Sequence, residues 1–298
     1  IRKKMKTNLT DQKNRSAELW VNKTKKIINL NWKKNKKQKL PTELKKVYFL
    51  KFDKFNKIFT SSNEKELYRL QNLLIKGNLI VLKNVFPKNK MIQIKKYLRV
   101  ISKKKKSSFH KTKEGCPNFH RVIGKKESSK YVLDSDRHDF YFFPWNRKKE
   151  KLDLFLTFNP IWRKIKLLSG LKNKEFENNT PKDGQIDRIL IRKYPNNTGF
   201  LETHTDPKKL KIAGGIHFST IKKDFSKGGV YFIFKNKIVN VEKHFKAGDM
   251  TLFYHSLKHG VQKVVSNNKS FNGSRWWVGL TNPISDEIKN RQKQKKIK

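Results

Sequence analysis

The chain has 298 residues, of which 72 are basic and 24 acidic, so its formal net charge at pH 7 is +48. A hydrophobic content of 35% and an aromatic content of 12% exclude a wholly disordered chain and indicate a buried core. The single cysteine excludes an intramolecular disulfide framework and a paired-cysteine zinc site. No apolar run reaches the roughly 18 residues of a membrane span. No signal peptide is visible, and we expect a cytoplasmic protein.

A charge of this size attracts nucleic acid, anionic membrane surfaces or acidic small molecules. However, 12 of the 72 basic residues are Arg, which leaves 60 Lys, and Asn and Ile are also abundant. That is the residue usage of an AT-rich genome, whereas proteins that read nucleic acid depend more on Arg. Basic residues are also denser in residues 1–60, with 19 in 60 positions, than in the β-rich residues 184–282, with 17 in 99. A nucleic-acid partner is therefore not favoured but is not excluded, and an anionic substrate stays open.

Helix and strand patterns alternate in the first half of the chain. Residues 1–60 are Lys/Asn-rich and are predicted to be an N-terminal extension. A capping box at residues 61–64 predicts a helix that ends at Gly77. The apolar run Leu79–Val85 predicts a buried strand, and Pro87 begins the next predicted helix. The later predicted elements are a loop over residues 102–130, a strand at Phe140–Trp145 and a helix at Leu152–Leu168.

From Gln185 onward, short β-rich runs alternate with turn residues. Seven strands at this spacing indicate an antiparallel sandwich or jelly roll, and helices followed by strands indicate an α+β fold with helices buttressing one sheet. No linker divides the chain clearly, so we predict one domain over residues 61–284 and a basic tail over 285–298. The predicted strands are Ile189–Tyr194, Gly215–Thr220, Val230–Phe234, Lys237–Val241, Met250–Tyr254, Gly260–Val265 and Arg275–Leu280.

The run His204-Thr205-Asp206 can chelate a metal ion. Two residues apart in an extended chain, His204 and Asp206 point to the same side. Taken alone, the pair fits a surface turn equally well. A third ligand on a late neighbouring strand, at His259 or at His255, would complete a set of two histidines and one carboxylate. Such a facial triad leaves coordination positions open and suits non-haem Fe(II) chemistry with O2.

Two further residues could hold a carboxylate beside such a metal. Arg275 begins the last predicted strand, where its guanidinium could bind the distal carboxylate of a co-substrate through two hydrogen bonds. Tyr194 ends a strand ahead of His204 and could donate its hydroxyl to the same carboxylate.

Four stretches of the sequence together resemble the Fe(II)/2-oxoglutarate-dependent dioxygenases, and the prolyl-hydroxylase-like branch in particular. They are KYPNNTGFLETHTDP (193–207), GGVYFIF (228–234), AGDMTLFYHSLKHGV (247–261) and SRWWVGL (274–280). The resemblance covers about residues 185–282, with weaker support from LIVLKNVFP (79–87). Two features differ from the family pattern. The loop before Arg275 is longer than in the prolyl hydroxylases, and Trp277 stands where some other branches have Ser.

The resemblance implies a double-stranded β-helix, or cupin-like jelly roll. It implies an oxygenase that uses Fe(II), 2-oxoglutarate and O2 to hydroxylate, or otherwise oxidise, an unactivated C–H bond, with release of succinate and CO2. The substrate would be a small molecule, amino acid, peptide or sugar derivative. Because Asp206 keeps its carboxylate, hydroxylation is favoured over halogenation. The residues that it implies are His204, Asp206 and His259 for Fe(II), and Arg275 with Tyr194 for 2-oxoglutarate.

The alternative is a protein of another class, in which the jelly roll is a non-catalytic or nucleic-acid-directed scaffold that binds polyanions. Members of the family that modify nucleic acid usually add a second Arg six residues after the anchoring one. Thr281 stands at that position, which disfavours this branch.

Strand alternation predicts where the side chains of Arg188–Tyr194 point. Ile189 and Ile191 are expected to pack on the helices, whereas Arg192 shares the opposite, barrel-facing side with Tyr194. A buried Arg needs an anionic partner. Arg192 therefore either binds a carboxylate or phosphate of the substrate or of 2-oxoglutarate, or forms an internal ion pair with a nearby acid.

Other residues are weaker candidates for contacts with the substrate. Arg188 shares the barrel-facing side of its strand with Arg192. Arg137 and His138 stand beside the aromatic block and could line the mouth of the barrel, with a solvated loop as the alternative.

Overall fold

Twelve strands and six helices build the part of the chain that the computed structural model describes, namely residues 19–128, 133–207, 211–267, 270–271 and 273–288. The helices are α1 (19–34), α2 (Phe52–Thr60), α3 (Glu64–Ile75), α4 (Lys88–Lys104), α5 (Lys125–Ser128) and α6 (Leu154–Leu168). The strands are β1 (Val47–Lys51), β2 (Leu79–Lys83), β3 (Phe119–Ile123), β4 (Ser135–Phe142), β5 (Arg188–Tyr194), β6 (Phe200–His204), β7 (Ile212–His217), β8 (Lys227–Phe234), β9 (Lys237–Asn240), β10 (Met250–Tyr254), β11 (His259–Val265) and β12 (Arg275–Thr281).

Eight consecutive strands, β5 to β12, form two four-stranded antiparallel layers. One layer has the order β10-β7-β12-β5 and the other the order β6-β11-β8-β9. The chain crosses between the layers at almost every step, which is the connectivity of a double-stranded β-helix, or jelly roll. The predicted α+β fold with a jelly-roll core is therefore confirmed.

The remaining strands extend the layer that contains β12. Strand β2 pairs with β10, and β1 adds parallel to β2. On the other side, β4 pairs with β5 along most of its length and with β6 at its start, where Ser135 lies opposite Leu201. Strand β4 thus joins the two layers along one edge, where its first residues pair with the first residues of β6.

The helices cover the outer face of the layer that contains β12. The main core combines Phe59, Leu67 and Trp162 from the helices with Ile189 and Ile191 from β5. The inner side of β5 belongs to a separate cluster, in which Tyr194 packs with Leu201 and Val261 between the layers. The predicted alternation along β5 is confirmed, because its apolar pair packs on the helices while its polar side chains face the barrel.

Helix α1 lies inside the predicted extension 1–60 and is attached to the rest of the fold. Its Thr24 hydroxyl donates to the Phe59 carbonyl at 3.1 Å, and the Trp32 indole donates to the Leu168 carbonyl, also at 3.1 Å. The domain boundaries at 60/61 and 284/285 stay predictions, and residues 1–18 and 289–298 lie outside the described part of the chain.

Local structure differs from the sequence prediction at several places. The predicted strand Phe140–Trp145 is shifted, because β4 runs from Ser135 to Phe142 and a short 3-10 helix begins at Pro144. Helix α3 is capped by Asn63, whose side chain accepts the Glu66 N–H at 3.0 Å, so the helix begins at Glu64. Strand β3 lies within the predicted loop 102–130, and β6 was not predicted because FLETH carries too few apolar residues. No helix in the described ranges is long and apolar enough to cross a membrane.

Candidate metal centre

Two histidines and one aspartate meet where β6 ends and β11 begins. His204 is the last residue of β6, His259 is the first residue of β11, and the two are paired in register. Asp206 follows two residues after His204. One ligand atom from each residue lies within 4.8 Å of the others, and His259 Nε2 is 3.8 Å from an Asp206 carboxylate oxygen. The donor set of two imidazoles and one carboxylate fits a divalent metal ion and leaves other coordination positions open.

Backbone carbonyls hold both imidazoles in the tautomer that a metal requires. His204 Nδ1 lies 2.9 Å from the Glu202 carbonyl oxygen, and His259 Nδ1 lies 2.9 Å from the Leu257 carbonyl oxygen. Since a carbonyl can only accept, Nδ1 carries the proton in each ring and Nε2 offers its lone pair. Burial lowers the pKa of His204 well below its usual value, and His259 lowers it further. The ring is therefore neutral, as a metal ligand must be.

The sequence left His255 and His259 as alternative third ligands. The structure brings His259 into the group, while His255 contacts the backbone of Asp206. The Asp206 N–H donates to the His255 carbonyl at 3.0 Å. His255 thus helps to fix the loop that carries the aspartate.

An aromatic wall borders the group on the β8 and β10 side. The ring of Phe253 meets the ring of His259 edge-on at 4.8 Å between centroids, and Phe232 stacks on His259 at 5.5 Å. Both phenylalanines are buried. Apolar contacts on one side of the imidazole exclude water from that side and fix the orientation of the ring.

Arg275 and Tyr194 are neighbours, as their predicted roles require. They lie opposite each other in the β12–β5 ladder, and the Arg275 guanidinium lies 5.2 Å from the centre of the Tyr194 ring. Arg275 is 2% exposed, and its Nε donates to Glu242 at 3.0 Å. Within the described ranges, the two terminal nitrogens of Arg275 make no hydrogen bond. The guanidinium can therefore donate its two terminal nitrogens to a second carboxylate while Nε stays bonded to Glu242.

Glu242 is a buried acid that the sequence did not single out. One of its carboxylate oxygens accepts both the Arg275 Nε–H and the Val230 N–H, the latter at 2.6 Å. Burial raises the pKa of Glu242 and outweighs the opposing effect of Arg275. A side chain at Gly229 (φ +100°) would come within 2.5 Å of this carboxylate. Gly229, the second glycine of GGVYFIF, thus makes room for Glu242, and it is the local sequence signal for this buried acid.

Arg192 forms the internal ion pair that was one of its two predicted outcomes. Its Nε and one terminal nitrogen donate to the two oxygens of Asp139, at 2.6 and 3.0 Å. The same carboxylate accepts Arg137 Nε at 3.1 Å and the Tyr141 hydroxyl at 2.9 Å. Burial by itself raises the pKa of Asp139, but Arg192 and Arg137 outweigh it and hold the pKa well below its usual value. Of the two predicted partners of Arg192, the structure thus shows the internal acid, Asp139, rather than a ligand.

The other two candidate substrate residues, Arg188 and His138, contact different parts of the fold. The guanidinium of Arg188 lies 5.1 Å from the centre of the Tyr141 ring, and its Nε contacts the Thr281 hydroxyl at 3.3 Å. His138 does not join this group, because it follows Arg137 directly in β4 and therefore points to the opposite face. There its ring lies 5.5 Å from that of His120, and burial lowers its pKa to about 4. The prediction that His138 lines the mouth is corrected by strand alternation.

No protein-family model matches the chain, and no curated protein matches its sequence. Solved structures with a similar arrangement include JOX2 in complex with 2OG, Fe and JA, at 11% identity and a TM-score of 0.48, covering 82% of this chain and 78% of that one. A prolyl-4-hydroxylase of Pseudomonas putida is similar at 11% identity and a TM-score of 0.45, covering 74% and 98%. Full-length Neurospora crassa T7H in complex with alpha-KG is similar at 12% identity and a TM-score of 0.48, covering 79% and 84%.

Proposed function

We propose that this chain is an Fe(II)- and 2-oxoglutarate-dependent oxygenase that hydroxylates an unactivated C–H bond of an organic substrate. The observation that carries the proposal is the convergence of His204, Asp206 and His259 at the end of the barrel, with the tautomer of each histidine fixed by a backbone carbonyl. Two imidazoles and one carboxylate suit Fe(II) and leave room for a chelating co-substrate and for O2.

Iron bound there with 2-oxoglutarate supplies an oxidative decarboxylation that consumes O2 and yields succinate, CO2 and the oxidising power to hydroxylate a C–H bond. The chain contributes binding and orientation. His204 and His259 present Nε2, and Asp206 presents a carboxylate whose negative charge attracts a divalent cation. The buried rings of Phe232 and Phe253 keep water from one side of the centre.

Arg275 is the proposed anchor for the distal carboxylate of 2-oxoglutarate. It is buried between the layers at the start of β12, and its terminal nitrogens have no partner in the described part of the chain. Tyr194 lies under the guanidinium and limits its movement. Glu242 holds Nε, so the two terminal nitrogens stay directed at an incoming carboxylate.

The test is turnover of the co-substrate in the absence of a known substrate. The purified chain is incubated aerobically with Fe(II), ascorbate and 2-oxoglutarate, and succinate is quantified. We expect succinate from the wild type and none from Asp206→Ala. The affinity of Asp206→Ala for Fe(II) should fall by more than about a hundredfold, because changes to residues that merely support metal ligands already cost 10–100-fold.

The matched control is His244→Ala, which removes a partly exposed histidine beside Phe49 and leaves the proposed ligands in place. We expect wild-type binding of Fe(II) from this variant. The proposal is refuted if the wild type neither forms succinate nor binds 2-oxoglutarate in an iron-dependent way.

A further inference from the structure

The ion-pair cluster on β4 and β5 contains more positive than negative charge. Arg137 and Arg192 share a single carboxylate, that of Asp139, which is fully buried. Asp139 accepts three hydrogen bonds from the two guanidinium groups and a fourth from Tyr141. Its capacity to accept is therefore filled, and one positive charge in the cluster has no counter-charge.

The surplus charge is carried by Arg137. Arg192 engages both oxygens of Asp139, whereas Arg137 reaches one of them through Nε and gives one terminal nitrogen to the Ser135 hydroxyl. Its second terminal nitrogen makes no hydrogen bond in the described part of the chain. Its side chain is 15% exposed and makes no ion pair there with any acid other than Asp139. An Arg that is almost dry and only partly neutralised favours an anionic ligand.

The cluster faces the interior of the same barrel that carries the candidate metal centre. Strand β4, which carries Arg137, pairs with β6 at Ser135 and Leu201, and β6 ends at His204. Ser135 and Arg137 lie two residues apart and share one face of β4, and Leu201, opposite Ser135, packs with Tyr194 and Val261 between the layers. Arg137 therefore lies on the barrel-facing side of β4, in the interior that a substrate would enter to reach the metal.

The anchor proposed for the co-substrate is electrostatically different. Arg275 has a carboxylate partner of its own in Glu242, and both side chains are at most 3% exposed. The two arginines also have different neighbours. Arg275 packs on the Tyr194 ring of β5, whereas Arg137 binds Asp139 of its own strand, β4. Arg275 is therefore paired one to one with a carboxylate, whereas Arg137 shares its carboxylate with Arg192.

We propose that the substrate carries an anionic group (a carboxylate, phosphate or sulfate), that Arg137 binds this group, and that Asp139 is the positioning residue that holds Arg137 and Arg192 in place. The proposal rests on the proposed function, because it names the substrate class of that same site. It also replaces Arg192 by Arg137 as the residue that contacts the ligand.

The test is direct binding of sulfate, used as the simplest probe for the anionic group. Radiolabelled sulfate is measured by equilibrium dialysis under anaerobic conditions against protein saturated with Fe(II) and 2-oxoglutarate, at constant ionic strength. We expect one saturable site per chain in the wild type. Its dissociation constant should rise roughly tenfold or more in Arg137→Met, which is the scale of a lost charge-assisted hydrogen bond.

The matched control is Arg69→Met, which removes the same charge from an exposed position on α3, where the side chain is 58% exposed. Its sulfate binding should equal that of the wild type, so that a general effect of net charge is excluded. Arg137→Met should fold, because Asp139 keeps both hydrogen bonds to Arg192. A second variant, Arg137→Lys, keeps the charge but loses the planar fork and should bind sulfate several-fold more weakly than the wild type.

Three outcomes would overturn the proposal: sulfate binding that is not saturable in the wild type, binding that is unchanged in Arg137→Met and Arg137→Lys, or binding that is lost only in Arg275→Met. The last would assign the anion to the co-substrate position. Separate binding titrations with Fe(II) and with 2-oxoglutarate distinguish a failure of the proposed function from a failure of the anion site. If these fail while sulfate binding still depends on Arg137, the proposed function is wrong and the anion site stands.

Discussion

The two buried Arg–carboxylate clusters should respond very differently when the acid is replaced by its amide. In Asp139→Asn, one of the two carboxylate oxygens becomes an NH2 group. Its hydrogens then point at the N–H groups of the neighbouring arginines, which are donors themselves. Even the better orientation of the amide loses the 2.6 Å bond from Arg192 Nε, and the other two bonds from Arg192 and Arg137 lose their charge assistance. At about 1 kcal/mol for each weakened bond and about 1–3 for the one that is lost, we expect a loss of about 3–5 kcal/mol in the free energy of unfolding.

Glu242→Gln should cost no more than about 1 kcal/mol. Both hydrogen bonds that Glu242 accepts go to the same oxygen, so the amide oxygen of Gln can take both, and only one of them comes from an Arg. The pKa directions agree with this asymmetry. The site of Asp139 lowers its pKa and so favours the charged form, whereas the site of Glu242 raises its pKa and favours the neutral form.

The assay is urea denaturation at pH 7.5, followed by circular dichroism and tryptophan fluorescence, with the midpoints compared at equal slope. Asp139→Asn should shift the midpoint strongly and Glu242→Gln slightly. The reasoning is refuted if Glu242→Gln destabilises the protein as much as Asp139→Asn, or if Asp139→Asn stays within 1 kcal/mol of the wild type.

Three further predictions follow from the same contacts. Arg275→Met should raise the dissociation constant of 2-oxoglutarate by roughly tenfold or more, while Fe(II) binding by the apoprotein stays unchanged; equal loss of both would contradict the separate roles. Gly229→Ala should destabilise the fold by about 1–3 kcal/mol, since its φ of +100° and the 2.5 Å approach to Glu242 both oppose a side chain, and a wild-type midpoint in urea would argue against this packing. Because the folded-state pKa of Asp139 is lowered, its contribution to stability is fully present above the unfolded pKa of about 3.9 and is lost as the pH falls toward the folded value; Asp139→Asn should therefore show less loss of stability than the wild type in denaturation curves below about pH 4.

Local patterns in the sequence were sufficient for much of the fold. Alternation along β5 placed Ile189 and Ile191 on the helices, because side chains in a strand point alternately to its two faces whatever lies beyond them. The same rule placed Arg192 on the barrel side. The strands β3 and β6 were not predicted, because their sequences, FHRVI and FLETH, mix polar and apolar residues without a clear pattern. They form strands because they pair with β4 and, for β6, also with β11.

The choice between His255 and His259 shows where local information ends. Both follow β10 at short distance, and the resemblance alone favoured His259. The structure separates them because His259 stands opposite His204 in the β11–β6 ladder, whereas His255 sits in the turn before it. Register between strands that are more than 50 residues apart decides which imidazole faces the aspartate.

The sequence by itself determined the class of fold, the metal-ligand motif and the presence of cations on the barrel side of β5. The tertiary structure decided what those cations contact. Arg192 meets Asp139, which lies 53 residues earlier, and Arg275 meets Glu242, which lies 33 residues earlier. A charge removed from water must find its partner in space rather than along the chain, and only the packed sheets fix which carboxylate is near enough. The same packing left Arg137 with a free donor on the barrel-facing side of β4.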